Sequence, residues 1–178
     1  MREAIALVTL AVILGIVNWS IVGKEKHLAD GRIVYLELAP VDPRSLMQGD
    51  YMALHFALSD RVRQALSRSG PESAERRHPV TADGYAVVGL DARGVGTFHR
   101  LYGDDGAEPD NNEVLMRFRV RKGVVKFATN AYFFQEGQGK YFQAARYGRF
   151  RLDDKGELLL TGLYDKHLNK LIPAGENE

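Results

Sequence analysis

Hydrophobic and polar residues follow two different patterns along this chain. Residues 4–23, AIALVTLAVILGIVNWSIVG, carry no charge. Beyond residue 30 apolar and polar positions mostly alternate with period two, as in strands with one buried face. RIVYLEL (32–38), DYMALHF (50–56), GYAVVGLD (84–91) and VGTFHRLY (95–102) read this way. So do EVLMRFRVR (113–121), VVKFA (124–128), GRFRLD (148–153) and ELLLTGLYD (157–165). In the second of these, Tyr51, Ala53 and His55 oppose Met52, Leu54 and Phe56. DARG, Lys122-Gly123 and DKG stand between strand pairs and supply hairpin turns.

Helical spacing is scarce. ALSDRVRQALSRSG (57–70) sets Leu58, Val62, Ala65 and Leu66 on one side and ends at Gly70-Pro71. QGKYFQAARYG (138–148) predicts a second short helix with Tyr141, Ala144 and Ala145 on one side. The stretches 67–84 and 103–113 read as polar connections. The expected fold class is mainly β, or α+β with few helices. An N-terminal transmembrane helix precedes a single antiparallel domain, a sandwich or partly open barrel with one or two short helices.

The apolar run matches the roughly 20 residues that cross a bilayer as a helix, and Trp19 suits the membrane–water boundary. A cleaved signal peptide is the competing reading, but the residues after Asn18 offer no A-x-A-like cleavage site. The expected organisation is an anchor over 1–23, a short polar stalk over 24–30, a β-rich domain over 31–172 and a tail over 173–178. Arg2 lies on one side of the run and Lys24 and Lys26 on the other, so charge does not fix the orientation. The simplest arrangement is a single-pass protein of a bacterial inner membrane with its C-terminal domain in the periplasm.

Composition narrows the chemistry. The 178 residues carry a net charge of +1, which favours neither nucleic acid nor a polycation. Cysteine is absent, which excludes disulfides, thiolate metal sites, a cysteine nucleophile and a lipid-modified cysteine.

The stretch PVDPRSLMQGDYMALHF (40–56) changes character within a few residues. Asp42 and Pro43 suit the start of a helical turn, Gly49 suits a reversal, and Asp50 opens a strand. GDYMALHF resembles the signature of the GDYXXLXY family: Gly49, Asp50, Tyr51 and Leu54 match, while Phe56 replaces the final Tyr. The resemblance extends through VDPRSLMQGDY and reappears in YFFQEGQGKYFQAARYGRFRLDDKGELLLTGLYD (132–165). It implies a bacterial, membrane-anchored protein without an established activity. The family's genes often lie beside those of polytopic membrane proteins, which implies a membrane partner.

Catalytic patterns are weak. Serine–lysine peptidases of the signal peptidase type place a Ser-Met pair upstream of a Gly-Asp strand start, but the equivalent position here is Val41. Ser45 lies nearer, without a lysine base that the sequence can place beside it. The histidines His27, His55, His78, His99 and His167 form no metal-ligand spacing, although His55 and His99 fall in predicted strands. Asp104, Asp105, Glu108, Asp110 and Asn111 offer oxygens to calcium without EF-hand spacing. No cofactor, metal or nucleic acid is expected, and no small-molecule substrate suggests itself.

Two surfaces remain. Arg117, Arg119 and Arg121 would share one sheet face and could meet phosphates or an acidic partner. Asp50 and Tyr51 could join Glu136, Arg146 and Tyr147, where Gly137 and Gly139 allow close approach. The expected function is a non-catalytic accessory domain that binds a polytopic inner-membrane protein. A binding module for an anionic envelope ligand and a serine peptidase-like enzyme are the alternatives.

Overall fold

The computed structural model describes residues 2–39, 47–48, 51–69, 81–103 and 107–173. Helix α1 runs unbroken over Arg2–Asp30. Its apolar part is exposed, from Ile5 at 66% to Val22 at 61%, and is long and apolar enough to cross a membrane. Residues 24–30, read above as a stalk, are its last two turns. Nothing in KEKHLAD breaks a helix, and the buried His27 fastens the final turn to the β domain.

Ten strands follow among the described residues: β1 (Arg32–Glu37), β2 (Met47–Gln48), β3 (Tyr51–Ala53), β4 (Thr81–Leu90), β5 (Gly96–Leu101), β6 (Glu113–Arg121), β7 (Val124–Lys126), β8 (Ala131–Phe133), β9 (Tyr147–Leu152) and β10 (Leu158–Tyr164). Two further helices lie among the described residues, α2 (Ala57–Ser69) and α3 (Gly139–Phe142). The sheets have the orders β1-β9-β10, β2-β3-β8 and β5-β4-β6-β7, with every strand pair antiparallel.

The hairpin turns follow the local chemistry. Lys122 and Gly123 both take positive φ, 53° and 75°, as a two-residue turn matching strand twist requires. Asp91–Gly94 and Asp153–Gly156 share another design. In each, the aspartate carbonyl accepts the glycine N–H, and its Oδ1 accepts two more backbone N–H groups.

The two larger sheets join into a partly open barrel. On one side, the Tyr35 N–H donates to Gly94 O at 2.9 Å. On the other, the Arg117 N–H donates to Gly156 O at 2.8 Å, so the β9–β10 turn occupies the free edge of β6. Inward residues of both sheets, including Val34, Leu36, Met116 and Phe150, meet in one core. Helix α2 packs on β1, β5 and β7 with Leu58 and Val62 buried, the face its spacing predicts.

Two expectations change. The predicted helix over 138–148 shrinks to the single turn α3, because Tyr147 and Gly148 pair with Glu37 and Leu36 on one side and with Tyr164 and Leu163 on the other. Of the strand expected over 50–56, Asp50 lies outside the described residues and β3 ends at Ala53, although the alternation holds beyond it: Met52, Leu54 and Phe56 are each 4% exposed.

Gly156 has φ +77°, and a Cβ there would lie 2.9 Å from Leu115 O and 3.1 Å from Arg117 N. Gly123 has φ +75° with open space around it. We expect Gly123→Ala to cost about 1 kcal/mol, the price of the left-handed backbone. Gly156→Ala adds a backbone clash and should cost about 2 kcal/mol or more. Denaturant unfolding of the full chain in detergent, followed by circular dichroism, checks the difference.

Candidate functional site

The family-like stretch is described only in part. Val41, Ser45, Gly49 and Asp50 lie outside the described residues, as do His78, Asp104 and Asp105. What is described has two roles. Leu54 and Phe56 are core residues, and the Phe56 ring packs edge-on against Phe150 with centroids 5.4 Å apart. Tyr51 faces outward and meets the Phe133 ring across the β3–β8 pair, with centroids 5.7 Å apart.

Phe133 is 74% exposed. It sits on β8, at one end of the β2-β3-β8 order. Behind it, Phe142 holds the sheet in place: it stacks on Phe134 at 5.3 Å and meets Tyr132 edge-on at 5.1 Å. The chain then reverses at Gln135–Gln138, where the Gln138 N–H donates to Gln135 O and Gly137 takes φ +79°.

Antiparallel pairing of Tyr51 with Phe133 places this turn beyond the start of β3, so Tyr51 and the exposed Glu136 belong to one end of the small sheet. Arg146 and Tyr147 border the other end. The Arg146 carbonyl accepts the Leu38 N–H, and Leu38 bridges Phe56.

The arginine stripe lies on one face of β6 as alternation predicts, but two of its members are engaged. Arg117 reaches Glu157 at 2.6 Å, and Arg121 reaches Asp83 at 2.6 Å. The Arg121 hydrogen bond holds the Asp83 carboxyl below its usual range. Among the described residues Arg119 has no ion pair, and it lies opposite Lys126 on β7.

Two polar clusters were not anticipated. In the first, Glu113 has a side chain only 9% exposed and receives the Arg100 guanidinium on both oxygens at 2.9 Å. It also meets His99 Nδ1 at 2.7 Å and accepts the Asp110 N–H at 3.1 Å. The His99 ring covers Gly89, so that any larger residue there would have to displace the ring from Glu113. The sequence signal was only a His-Arg pair near the end of β5 and a Glu at the start of β6, two strands that β4 separates in the sheet. The second cluster fastens α1. His27 Nε2 lies 2.8 Å from Arg151 O, so that nitrogen carries the proton, and Arg151 Nη1 donates to Gly31 O at 2.8 Å.

His55 pairs with Asp60 at 3.0 Å rather than meeting His99. Among the described residues no group of three or more His, Asp or Glu is arranged around a metal-sized position. The hydroxyls of Thr97, Thr129 and Thr161 donate to backbone carbonyls.

Comparison with known protein families gives a match over residues 13–163, to a family described as GDYXXLXY protein. No curated protein and no solved structure matches the chain.

The hydrogen bonds from His99 and Arg100, and then the Asp110 N–H, hold Glu113 down at about 2 against an ordinary 4.5. A depressed carboxyl stabilises the fold above its ordinary value and loses that contribution as pH falls toward the lowered one. Stability should therefore drop between pH 4.5 and about 2. Glu113→Gln should flatten that segment of the profile, measured by thermal unfolding across the pH series.

Proposed function

The chain belongs to the GDYXXLXY family, and from that premise we propose that it is a membrane-anchored, non-catalytic docking domain for an integral membrane protein. In this reading α1 spans a bacterial inner membrane, and the β domain lies on the periplasmic side. The surface that meets the partner is the aromatic end of the β2-β3-β8 sheet. It combines Tyr51 and Phe133 with the turn that carries Glu136, and Asp50 precedes it in sequence.

The observation that carries this reading is the Tyr51–Phe133 pair. An exposed ring tilted against a second ring, on an edge strand braced from behind by Phe142, is a preorganised anchor. Few groups move when it binds, so little ordering entropy opposes association. The uninterrupted α1 and its fastening by His27 support a domain held at a fixed position relative to a bilayer, where a membrane partner can reach it.

A second reading draws on Arg119, which lies opposite Lys126 on one side and, on the other, opposite Asp83, whose carboxylate is already held by Arg121. Like charges directly opposite each other destabilise a sheet, and an anionic envelope ligand would relieve them. In that case Arg117, Arg119 and Arg121 would bind anionic vesicles in a salt-sensitive way.

The absence of native cysteine permits a direct test of topology. A single cysteine at the exposed Val124 should react with an impermeant maleimide from the periplasmic side. A photo-crosslinking residue at position 133 should trap a polytopic membrane protein in living cells. Tyr51→Ala should reduce that adduct about tenfold, the effect of losing a contact of about 1.4 kcal/mol. Unchanged crosslinking in a folded Tyr51→Ala variant would remove this surface from the interface.

A further inference from the structure

We propose that the cleft between the last turns of α1 and the β9–β10 turn holds the head group of a zwitterionic glycerophospholipid such as phosphatidylethanolamine. The phosphate would lie among Lys26, Arg32 and Lys155, and the ammonium against Asp30 and Asp154. This inference rests on the reading of α1 as a membrane span.

The cleft has a volume of about 680 Å³, within the usual range of small-ligand sites. One wall is α1, through Gly23, Lys26, His27 and Asp30, spaced to lie on a single helix face. The opposite wall is the start of β6 and the Asp153–Lys155 segment.

Its position selects the ligand. Val22 is the last residue of the apolar run before Gly23, and Trp19, 85% exposed, lies one turn below Gly23 on the same face. Nothing lies within 4 Å of where a Gly23 Cβ would be, so the cleft is open toward the apolar segment. Lys26 stands about 5 Å further along the helix axis. That rise falls within the head-group layer, about 5–7 Å thick on each side of a bilayer. A ligand at this level needs a charged end at Lys26 and an apolar end running down past Trp19.

Its charge selects the head group. Among the described residues Lys26, Arg32, Lys155, Asp30 and Asp154 have no ion pair. The other two carboxylates of the lining are engaged. Glu113 is held by Arg100 and His99, and Asp153 Oδ1 accepts two backbone N–H groups of its turn. Three cations and two carboxylates therefore face the cleft. A phosphate with a tethered ammonium satisfies both signs, whereas a purely anionic head group would leave the carboxylates opposed to it.

The test is to purify the full chain from membranes in mild detergent and quantify the phospholipid that remains bound. We expect phosphatidylethanolamine near one molecule per chain, enriched over phosphatidylglycerol relative to the membrane. Lys26→Gln/Arg32→Gln/Lys155→Gln should reduce it at least fivefold. Gly23→Leu leaves every charge in place, meets open space, and should do the same by blocking the opening.

Circular dichroism reports whether each variant is folded. Equal retention in wild type and both folded variants would overturn the proposal, as would enrichment of phosphatidylglycerol. Glycerophosphoethanolamine, the same head group without acyl chains, should not displace the lipid in large excess. Displacement would overturn the bilayer as the source. Alkaline extraction of membranes runs in parallel. A chain that resists extraction yet holds no lipid sinks this inference alone, and a chain released by alkali sinks the anchoring reading itself.

Discussion

The backbone hydrogen bond from the Arg117 N–H to the Gly156 carbonyl ties the molecule together. It joins the sheet built on β1, β9 and β10 to the sheet built on β4 through β7, far from the strands that link them in sequence. Without it residues 113–118 of β6 would present an unpaired edge, and only the Tyr35–Gly94 bond and the shared core would join the two sheets. The same contact brings Glu157 to Arg117 and sets the Asp153 turn beside His27. Barrel closure and the attachment of α1 therefore share one short segment of chain. A glycine is required there because the backbones approach too closely for a side chain.

The string that names the family has a divided job in this chain. Its later residues, Leu54 and Phe56, are buried and support the core, where Phe56 packs on Phe150 without needing a hydroxyl. Tyr51 alone, of the described members, turns toward solvent beside Phe133. A single strand thus anchors a surface feature to the interior. The rings on the outside are positioned by residues whose own contacts are all inside.

Much of the fold was legible because alternation is a local property. The faces of β1, β6 and β9, the Lys122-Gly123 turn and the inward stripe of α2 follow from a few residues at a time, whereas β4 departs from alternation, with residues 86–89 buried in succession and its pairing with β5 shifting between Val87 and Val88. What escaped was partnership. The run AYFF gives no alternation, so β8 is found only by its pairing with β3. QGKYFQAARYG has helical spacing, but β1 and β10 claim its end, and long-range pairing outweighs a weak local preference. The expected gathering of Tyr51, Glu136, Arg146 and Tyr147 on one surface was legible only in part. Tyr51 and the Glu136 turn are brought to one end of a sheet, while Arg146 and Tyr147 border the other. The Glu113 and His27 clusters join residues 13 to 124 positions apart, a separation that no spacing rule reaches.

Helix α1 is a continuous rod from its apolar segment to the point where His27 grips the domain. Each residue of an α-helix advances about 1.5 Å and turns about 100°. The count of residues between Trp19 and His27 therefore acts as a compass bearing. On the proposed reading of α1 as a membrane span, it decides which side of the barrel looks toward a neighbour in the bilayer plane, and one inserted or deleted residue would swing the whole domain through more than a right angle while barely changing its height.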